Sequence, residues 1–327
     1  MTDYTDSQAV CRLSSGPRTF FRLPYRPVRE LTEQDGVDAV ILGVPIDGAT
    51  GYRSGARFGP EAVRSASTLA RLGSRERGLV ITDLLTVVDG GDVHIVPGYH
   101  LQTLELIEKS VDAVHGIGAL PILIGGDHSL AIAELRAAAK KHGPLSLVQL
   151  DAHRDVLDDY FGVKHFHGTV YRRAAEEGLI DPTTSIQIGM RGSVPREDLA
   201  DDGLGFTVIH SDEAIELGCR ELGRIVRDKV GRNPVALTFD IDFVDPSCAP
   251  GTGTPEVGGP SSAFALRLLR ELDLPDIRTV SLVEISPPYD TADITAHLGV
   301  AVIFEIMTLA AAARRTTTQQ DGRLHAR

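Results

Sequence analysis

LSLVQLDAHRD, residues 145–155, opens as an apolar run and closes on three groups able to bind protons or metals, Asp151, His153 and Asp155. An apolar run with almost no polar alternation reads as a strand covered on both faces, which is the habit of parallel sheets. Working outward, the same kind of run recurs at 39–44 (AVILGV), 86–88, 121–125 (PILIG), 185–189 (SIQIG), 206–209, 235–241 and 278–285 (RTVSLVEI). Helix-period segments lie between them at 101–115, 129–141, 169–177, 212–229 and 261–272, and a last helix is predicted near 296–313. Strands alternating with helices need a crossover over the sheet for each parallel pair. The expected fold is therefore a three-layer α/β/α domain with a mainly parallel sheet of about eight strands. Its expected limits are an N-terminal arm at 1–36, a single domain at 37–314 and a flexible C-terminal tail at 315–327.

The 327 residues are 42% hydrophobic and 24% charged, an ordinary globular composition. No window reads as a membrane span and the N-terminus lacks the apolar core of a secretory signal, so a cytoplasmic protein with no membrane partner is expected. Cys11, Cys219 and Cys248 form no CxxC pair and are expected as unpaired thiols. A net charge of -12 argues against nucleic acid as a partner and mildly favours a cationic ligand.

In a parallel α/β sheet the ligand site lies beyond the carboxyl ends of the strands. Three predicted strands run into acidic and imidazole groups there: PILIGGDHS (121–129) carries His128, LSLVQLDAHRD carries Asp151, His153 and Asp155, and VALTFDIDFVDP (235–246) carries Asp240 and Asp242. In extended chain alternate side chains share a face, which would join Asp151, His153 and Asp155, and likewise Asp240 and Asp242. Buried carboxylates at this density need counter-charge, and two divalent cations neutralise four aspartates. Taken singly, each motif has a plain alternative: a hydrogen-bonded histidine, a solvated turn, an N-cap. An oxygen-rich set with one imidazole per metal suits manganese, with nickel, cobalt or iron as alternatives. His167, at the start of a predicted helix in KHFHGTVYRRA (164–174), is placed to shuttle protons at neutral pH. Glu284, closing the run in VSLVEISPPYD (280–290), presents a further carboxylate, whose plain alternative is a structural salt bridge.

On GGDHS (125–129), DAHRD (151–155), HGT (167–169) and TFDIDFVDPSCAPGTGTP (238–255), the chain resembles the ureohydrolases, the group of arginase, agmatinase and guanidinobutyrase. The resemblance runs from about residue 37 to 310. PIDGATGYRSGARFGPEAVR (45–64), YRRAAEEGLIDP (171–182), SIQIGMRG (185–192) and VEISPPYD (283–290) look like the agmatinase and guanidinobutyrase branch. It implies a binuclear-metal amidinohydrolase that releases urea and an amine from a guanidino compound. By that resemblance His128, Asp151, Asp155 and Asp242 bind one metal or bridge the pair, and His153 and Asp240 complete the other. Asp155 orients a bridging hydroxide, His167 handles protons, and Glu284 holds the guanidinium. A manganese-dependent trimer or hexamer is implied too; the alternative of another class is a non-catalytic subunit that keeps the fold and assembles with an active paralogous chain.

Three positions depart from the pattern. Arg154 stands where the family commonly has a small residue, Ser281 where it commonly has Asp, and Leu157 where the guanidinobutyrase-like loop usually has Asn. Alternation points Arg154 away from the metals, toward a supporting or interface salt bridge. Loops that border a pocket set its specificity. Here VLDDYFGVKHF (156–166) does so, and Lys164 or Arg191 would supply a cation for a substrate carboxylate, favouring 4-guanidinobutyrate or a related guanidino acid. The alternative is that both are solvated surface charges. Leu157 makes that end of the pocket more apolar, which keeps a smaller or N-alkylated guanidine open; the alternatives are agmatine, a proclavaminate-type substrate, guanidine or a substituted biguanide, the last two with nickel.

Overall fold

The computed structural model describes residues 17–193, 203–274 and 276–324, with side chains as far as Arg315. Six consecutive apolar or small residues leave β1 (Ala39–Val44) no solvent face, and its side chains divide between two cores. Ala39 and Ile41 join one, while Val40, Leu42 and Val44 join the other. The same division along every central strand makes the sheet the middle layer of a sandwich.

The remaining strands are the short antiparallel pair β2 (Gly73–Ser74) and β3 (Leu79–Val80), then β4 (Val87–Asp92), β5 (Leu120–Gly125), β6 (Ser146–Leu150), β7 (Ile186–Met190), β8 (Thr207–His210), β9 (Val235–Asp240) and β10 (Ile277–Val283). The main sheet has eight strands in the order β4-β1-β5-β10-β9-β6-β7-β8, and every pairing in it is parallel. The helices are α1 (Gly59–Ala66), α2 (His100–Gly116), α3 (Ala131–His142), α4 (Val170–Glu176), α5 (Ser211–Val230), α6 (Ser262–Leu272) and α7 (Ile294–Leu324). α2, α3 and α4 pack on one face of the sheet; α1, α5, α6 and α7 pack on the other. Phe20, Phe21 and Leu23 of the N-terminal arm join the core that holds Ala39 and Ile41, with Phe20 at 0% exposure.

The predicted strands and helices are present, and α1 and the β2/β3 pair are additions too short for a periodic pattern to reveal. α7 outruns its predicted end at 313, its helical backbone continuing to Leu324. The expectation that no window is apolar enough for a membrane span is corrected by the same helix. Ile294–Arg315 passes by length and mean hydropathy, 1.8, yet 72% of its apolar window is buried in the fold. Val302, Ile303 and Ile306 lie in the core, so the helix is apolar because it packs against the sheet. Cys219 and Cys248 are free thiols, and Cys11 lies outside the described residues.

β5, β10, β9 and β6 are neighbours in the middle of the sheet, and since all are parallel their carboxyl ends meet at one edge. Gly126 ties that edge together. Its N–H donates to Val44 O and its carbonyl accepts from Glu284 N–H, both at 2.9 Å, while the next amide, Asp127 N–H, donates to Ile46 O. A Cβ at Gly126 would stand 1.7 Å from Ile46 O, so only glycine permits this approach. Gly126→Ala is expected to lower unfolding free energy by about 3 kcal/mol, measured by denaturant titration, because backbone rather than a movable side chain must yield.

Candidate metal centre

The loops after β5, β6 and β9 bring the six expected ligands together. His128 follows β5 in a 3-10 turn (His128–Leu130) capped by Asp127, whose carboxylate accepts from Ser129 N–H. Its Nδ1 stands 3.2 Å from Asp151 Oδ2, 2.9 Å from Asp155 Oδ2 and 3.3 Å from Asp240 Oδ2. His153 Nδ1 stands 3.1 Å from Asp242 Oδ2 and 3.7 Å from Asp151 Oδ1. Two groups with metal-binding spacing result, His128 with Asp151 and Asp155, and Asp151 with His153 and Asp242; Asp151 is common to both.

Asp242, expected beside His128, faces His153, and Asp240, expected with His153, faces His128. The reason is local. β9 ends at Asp240 and the chain turns at once into a 3-10 helix, Ile241–Phe243, so strand alternation does not carry past it. Likewise β6 ends at Leu150 and Asp155 has φ +55°, so a turn and not an extended segment gathers 151–155.

Three of the four aspartates have one oxygen held by a backbone amide. Asp151 Oδ1 accepts from His153 N–H at 2.6 Å, Asp240 Oδ1 from Asp242 N–H at 2.9 Å, and Asp242 Oδ1 from Ala152 N–H at 3.1 Å. Glu284 repeats the pattern: Oε1 accepts from His128 N–H at 2.9 Å, while buried Oε2 has no hydrogen-bond partner. Glu284 itself has φ +63° and is 1% exposed.

These groups fit two cations on their own electrostatics. Burial, then Asp242 and Asp151, push the Asp240 carboxyl well up; burial, then Asp151, push Asp155 up. Left to itself the cluster binds protons, and divalent ions relieve the same repulsion. His128 Nδ1, buried and without a hydrogen-bond partner, is a free lone pair for such an ion when Nε2 carries the ring hydrogen.

His167 Nδ1 lies 2.9 Å from Glu284 Oε1, and Gly51 N–H points at Nε2 from 3.2 Å. Burial lowers the proton affinity of this imidazole, but Glu284 outweighs it and raises the pKa to about 9. A protonated Nε2 cannot accept from Gly51, so the contact belongs to the neutral ring with its hydrogen on Nδ1. A second proton at Nε2 requires the Gly51 amide to move away.

Arg191 and Lys164 both have partners within the chain. Arg191 donates to the carbonyls of Gly189, Asp242, Phe243 and Glu256, bracing the loop that follows Asp242. Lys164 is exposed and paired with Asp158 at 3.3 Å. Leu157 is half-buried, its N–H donating to Gly168 O beside His167. Arg154 points away from the ligands, its Nε on Gln187 Oε1 at 3.0 Å; Gln187 in turn donates to Gln149 and Gln149 to Asp151 Oδ2. The sequence reading missed those glutamines, along with Tyr171, Thr238 and Glu134 on the α3 side. A polar residue inside an otherwise apolar strand, such as Gln149 or Thr238, was the available signal.

A parallel sheet whose middle strands deliver four carboxylates and two imidazoles to one buried edge defines a hydrolase with a binuclear divalent-metal site. The family model described as "Arginase family" matches residues 37–309, and the chain belongs to that family. It is similar to the guanidinobutyrase of Pseudomonas aeruginosa, 42% identical, with 89% of this chain and 92% of that one covered. It is similar to an agmatinase of Neisseria gonorrhoeae, 40% identical over 89% and 92% of the two chains. Among solved structures, proclavaminate amidino hydrolase from Streptomyces clavuligerus superposes with TM-score 0.86 at 40% identity, covering 92% of this chain and 99% of that one. The chain is thus a ureohydrolase, acting on the C–N bond of a guanidino group.

Because Asp151 serves both groups, Asp151→Ala is expected to lose both ions, whereas His153→Ala should lose one and keep the other. Metal content per chain after dialysis, by elemental analysis, reads the difference. Two ions retained by Asp151→Ala would refute the shared-ligand reading.

Proposed function

We propose that this ureohydrolase acts on a short guanidino acid, best represented by 4-guanidinobutyrate, giving urea and the corresponding amino acid, with manganese as its ion pair. The observation that carries the reaction is the free, buried Glu284 Oε2 beside the six-ligand cluster. A lone carboxylate oxygen out of water calls for a cation with N–H donors, and a guanidinium supplies both. His128 N–H and His167 hold Oε1, so Glu284 meets the substrate in one orientation. When bound, a metal pair held by His128, Asp151, His153, Asp155, Asp240 and Asp242 would supply hydroxide at neutral pH for a guanidinium carbon that resonance makes a poor electrophile. Pairing with Glu284 fixes the guanidinium carbon for that attack. His167 delivers a proton to the departing amine, which would otherwise leave as a strongly basic anion.

Support for the guanidino acid comes from the names of two of the relatives, guanidinobutyrase and proclavaminate amidino hydrolase. Agmatine is the alternative, and a small or N-alkylated guanidine with nickel is a third. Four carboxylates against two imidazoles favour manganese. By the same family likeness the working assembly is a homo-oligomer, a trimer or hexamer, which light scattering on the purified protein measures.

Glu284→Gln is expected to keep both ions and lose turnover by at least about a hundredfold, since a charge-assisted pair in a dry site is worth several kcal/mol. Loss of metal in that variant would make Glu284 a ligand instead.

Urea release should be highest for 4-guanidinobutyrate among 3-guanidinopropionate, agmatine, guanidine and a dimethylbiguanide, and higher with manganese than with nickel. Lys164→Ala should leave the preference unchanged. Faster turnover of agmatine or of a tail-less guanidine overturns the substrate while leaving the reaction; no urea from any compound overturns the reaction.

A further inference from the structure

Two glutamines, one on β6 and one on β7, border the turn that carries Asp151, His153 and Asp155, and no step of the proposed reaction employs them. Gln149 and Gln187 are cross-strand partners, both at 0% exposure. A primary amide so placed is costly unless its two hydrogens and its oxygen are all satisfied. Here they are. Gln149 Nε2 donates to Asp151 Oδ2 at 2.8 Å and to the His153 carbonyl at 2.9 Å. Gln187 Nε2 donates to Gln149 Oε1 at 2.6 Å and to the Arg154 carbonyl at 2.8 Å. Gln187 Oε1 accepts from Arg154 Nε at 3.0 Å.

The sense of this network is fixed without reference to any titrating group. A guanidinium only donates and a backbone carbonyl only accepts, so Gln187 must turn its oxygen to Arg154 Nε and its amino group to the Arg154 carbonyl. The second hydrogen of that amino group then meets Gln149 Oε1, which leaves the amino group of Gln149 for the His153 carbonyl and Asp151 Oδ2. Every bond leaving the pair therefore ends on residue 151, 153 or 154, in the turn that follows β6 and closes at the left-handed Asp155. Asp151 Oδ2 is the oxygen that lies 3.2 Å from His128 Nδ1, and Oδ1 of the same carboxylate is held by the His153 amide. We infer that Gln149 and Gln187 are positioning residues for the metal centre, locked by Arg154, which hold Asp151 and the backbone of 153–154 at ion-binding spacing before an ion arrives. A carboxylate oxygen has lone pairs enough for both a hydrogen bond and an ion, and a ligand fixed in advance does not have to be ordered by the metal. Arg154, which stands where a small residue is common, thereby acquires a role. A small side chain there leaves Gln187 Oε1 without its donor and the amide able to turn over.

This inference rests on Asp151 being a ligand to both ions, so the test includes Asp151→Ala. Gln149→Met removes the donor to Asp151 with little change in volume, and Arg154→Met removes the donor at the far end of the network, at a half-buried position where the fold tolerates the change. In each, chelator competition with manganese should show the bound ions weakened by about ten- to a hundredfold. Arg154→Gln, whose amide nitrogen stands the same number of bonds from the backbone as Nε, should keep the parent affinity. The double variant Gln149→Met/Arg154→Met should lose little more than Gln149→Met alone, because both act on one network, whereas independent structural damage multiplies. Parent affinity in Gln149→Met or Arg154→Met, equal loss in Arg154→Gln and Arg154→Met, or a double variant whose loss is the product of the two overturns the brace. If Asp151→Ala itself keeps two ions, the shared-ligand reading fails; if it loses both while Gln149→Met and Arg154→Met match the parent, only the brace fails.

Discussion

Mutual repulsion among Asp151, Asp155, Asp240 and Asp242 is the constraint to which the middle of this molecule answers. Three of them are no more than 3% exposed, and burying like charges a few ångströms apart is unfavourable by several kcal/mol without compensation. Among the described residues, no lysine or arginine forms an ion pair with these aspartates. The fold sets backbone amides against one oxygen of each of Asp151, Asp240 and Asp242, and leaves the inward oxygens and two imidazoles for divalent ions. Arg154 is held by Gln187 and Arg191 by four backbone carbonyls. A cation of the protein's own at the centre would compete with the metals, and its exclusion matters as much as the presence of the ligands.

The sheet and its ligands were legible in the sequence because both depend on short-range pattern. An apolar run ending in a charged group shows where a strand stops and at which edge its chemistry lies. Whether Asp240 or Asp242 faces His128 was not legible, since it turns on a 3-10 helix of three residues after β9. For Lys164 and Arg191 the choice between a substrate-facing cation and a surface charge stayed open, because partners such as Asp158 and backbone carbonyls carry no signature that ties them to a given side chain. Glu134 was invisible for another reason. It sits within the helical pattern of 129–141 as one acidic residue among apolar ones, and only its neighbours on β10 and β9, more than a hundred positions away, show it to be buried.

Asp155 and Glu284 both adopt left-handed backbone conformations, which residues with a Cβ hold only when the surroundings compel them. For Glu284 the compulsion is visible in its N–H to Gly126 and its carboxylate on the amide of His128. For Asp155, the carbonyl accepts from Tyr171 N–H at 2.9 Å, anchoring the loop to the start of α4. Strain stored at the two residues that carry the chemistry is thus repaid by hydrogen bonds to other loops.

The order in which the chain is made has a bearing on when this edge can exist. β5 ends at Gly125, but its neighbour in the sheet is β10, which begins at Ile277. Until Glu284 has been synthesised, His128 lacks the carboxylate that holds its own amide, and the gap between β5 and β9 is unfilled. Contacts so distant along the chain form late, because a long loop must close before they are rewarded. A nascent chain therefore passes most of its length on the ribosome with its acidic strand ends ungathered, and ions can stabilise the native arrangement only after nearly all of it has emerged.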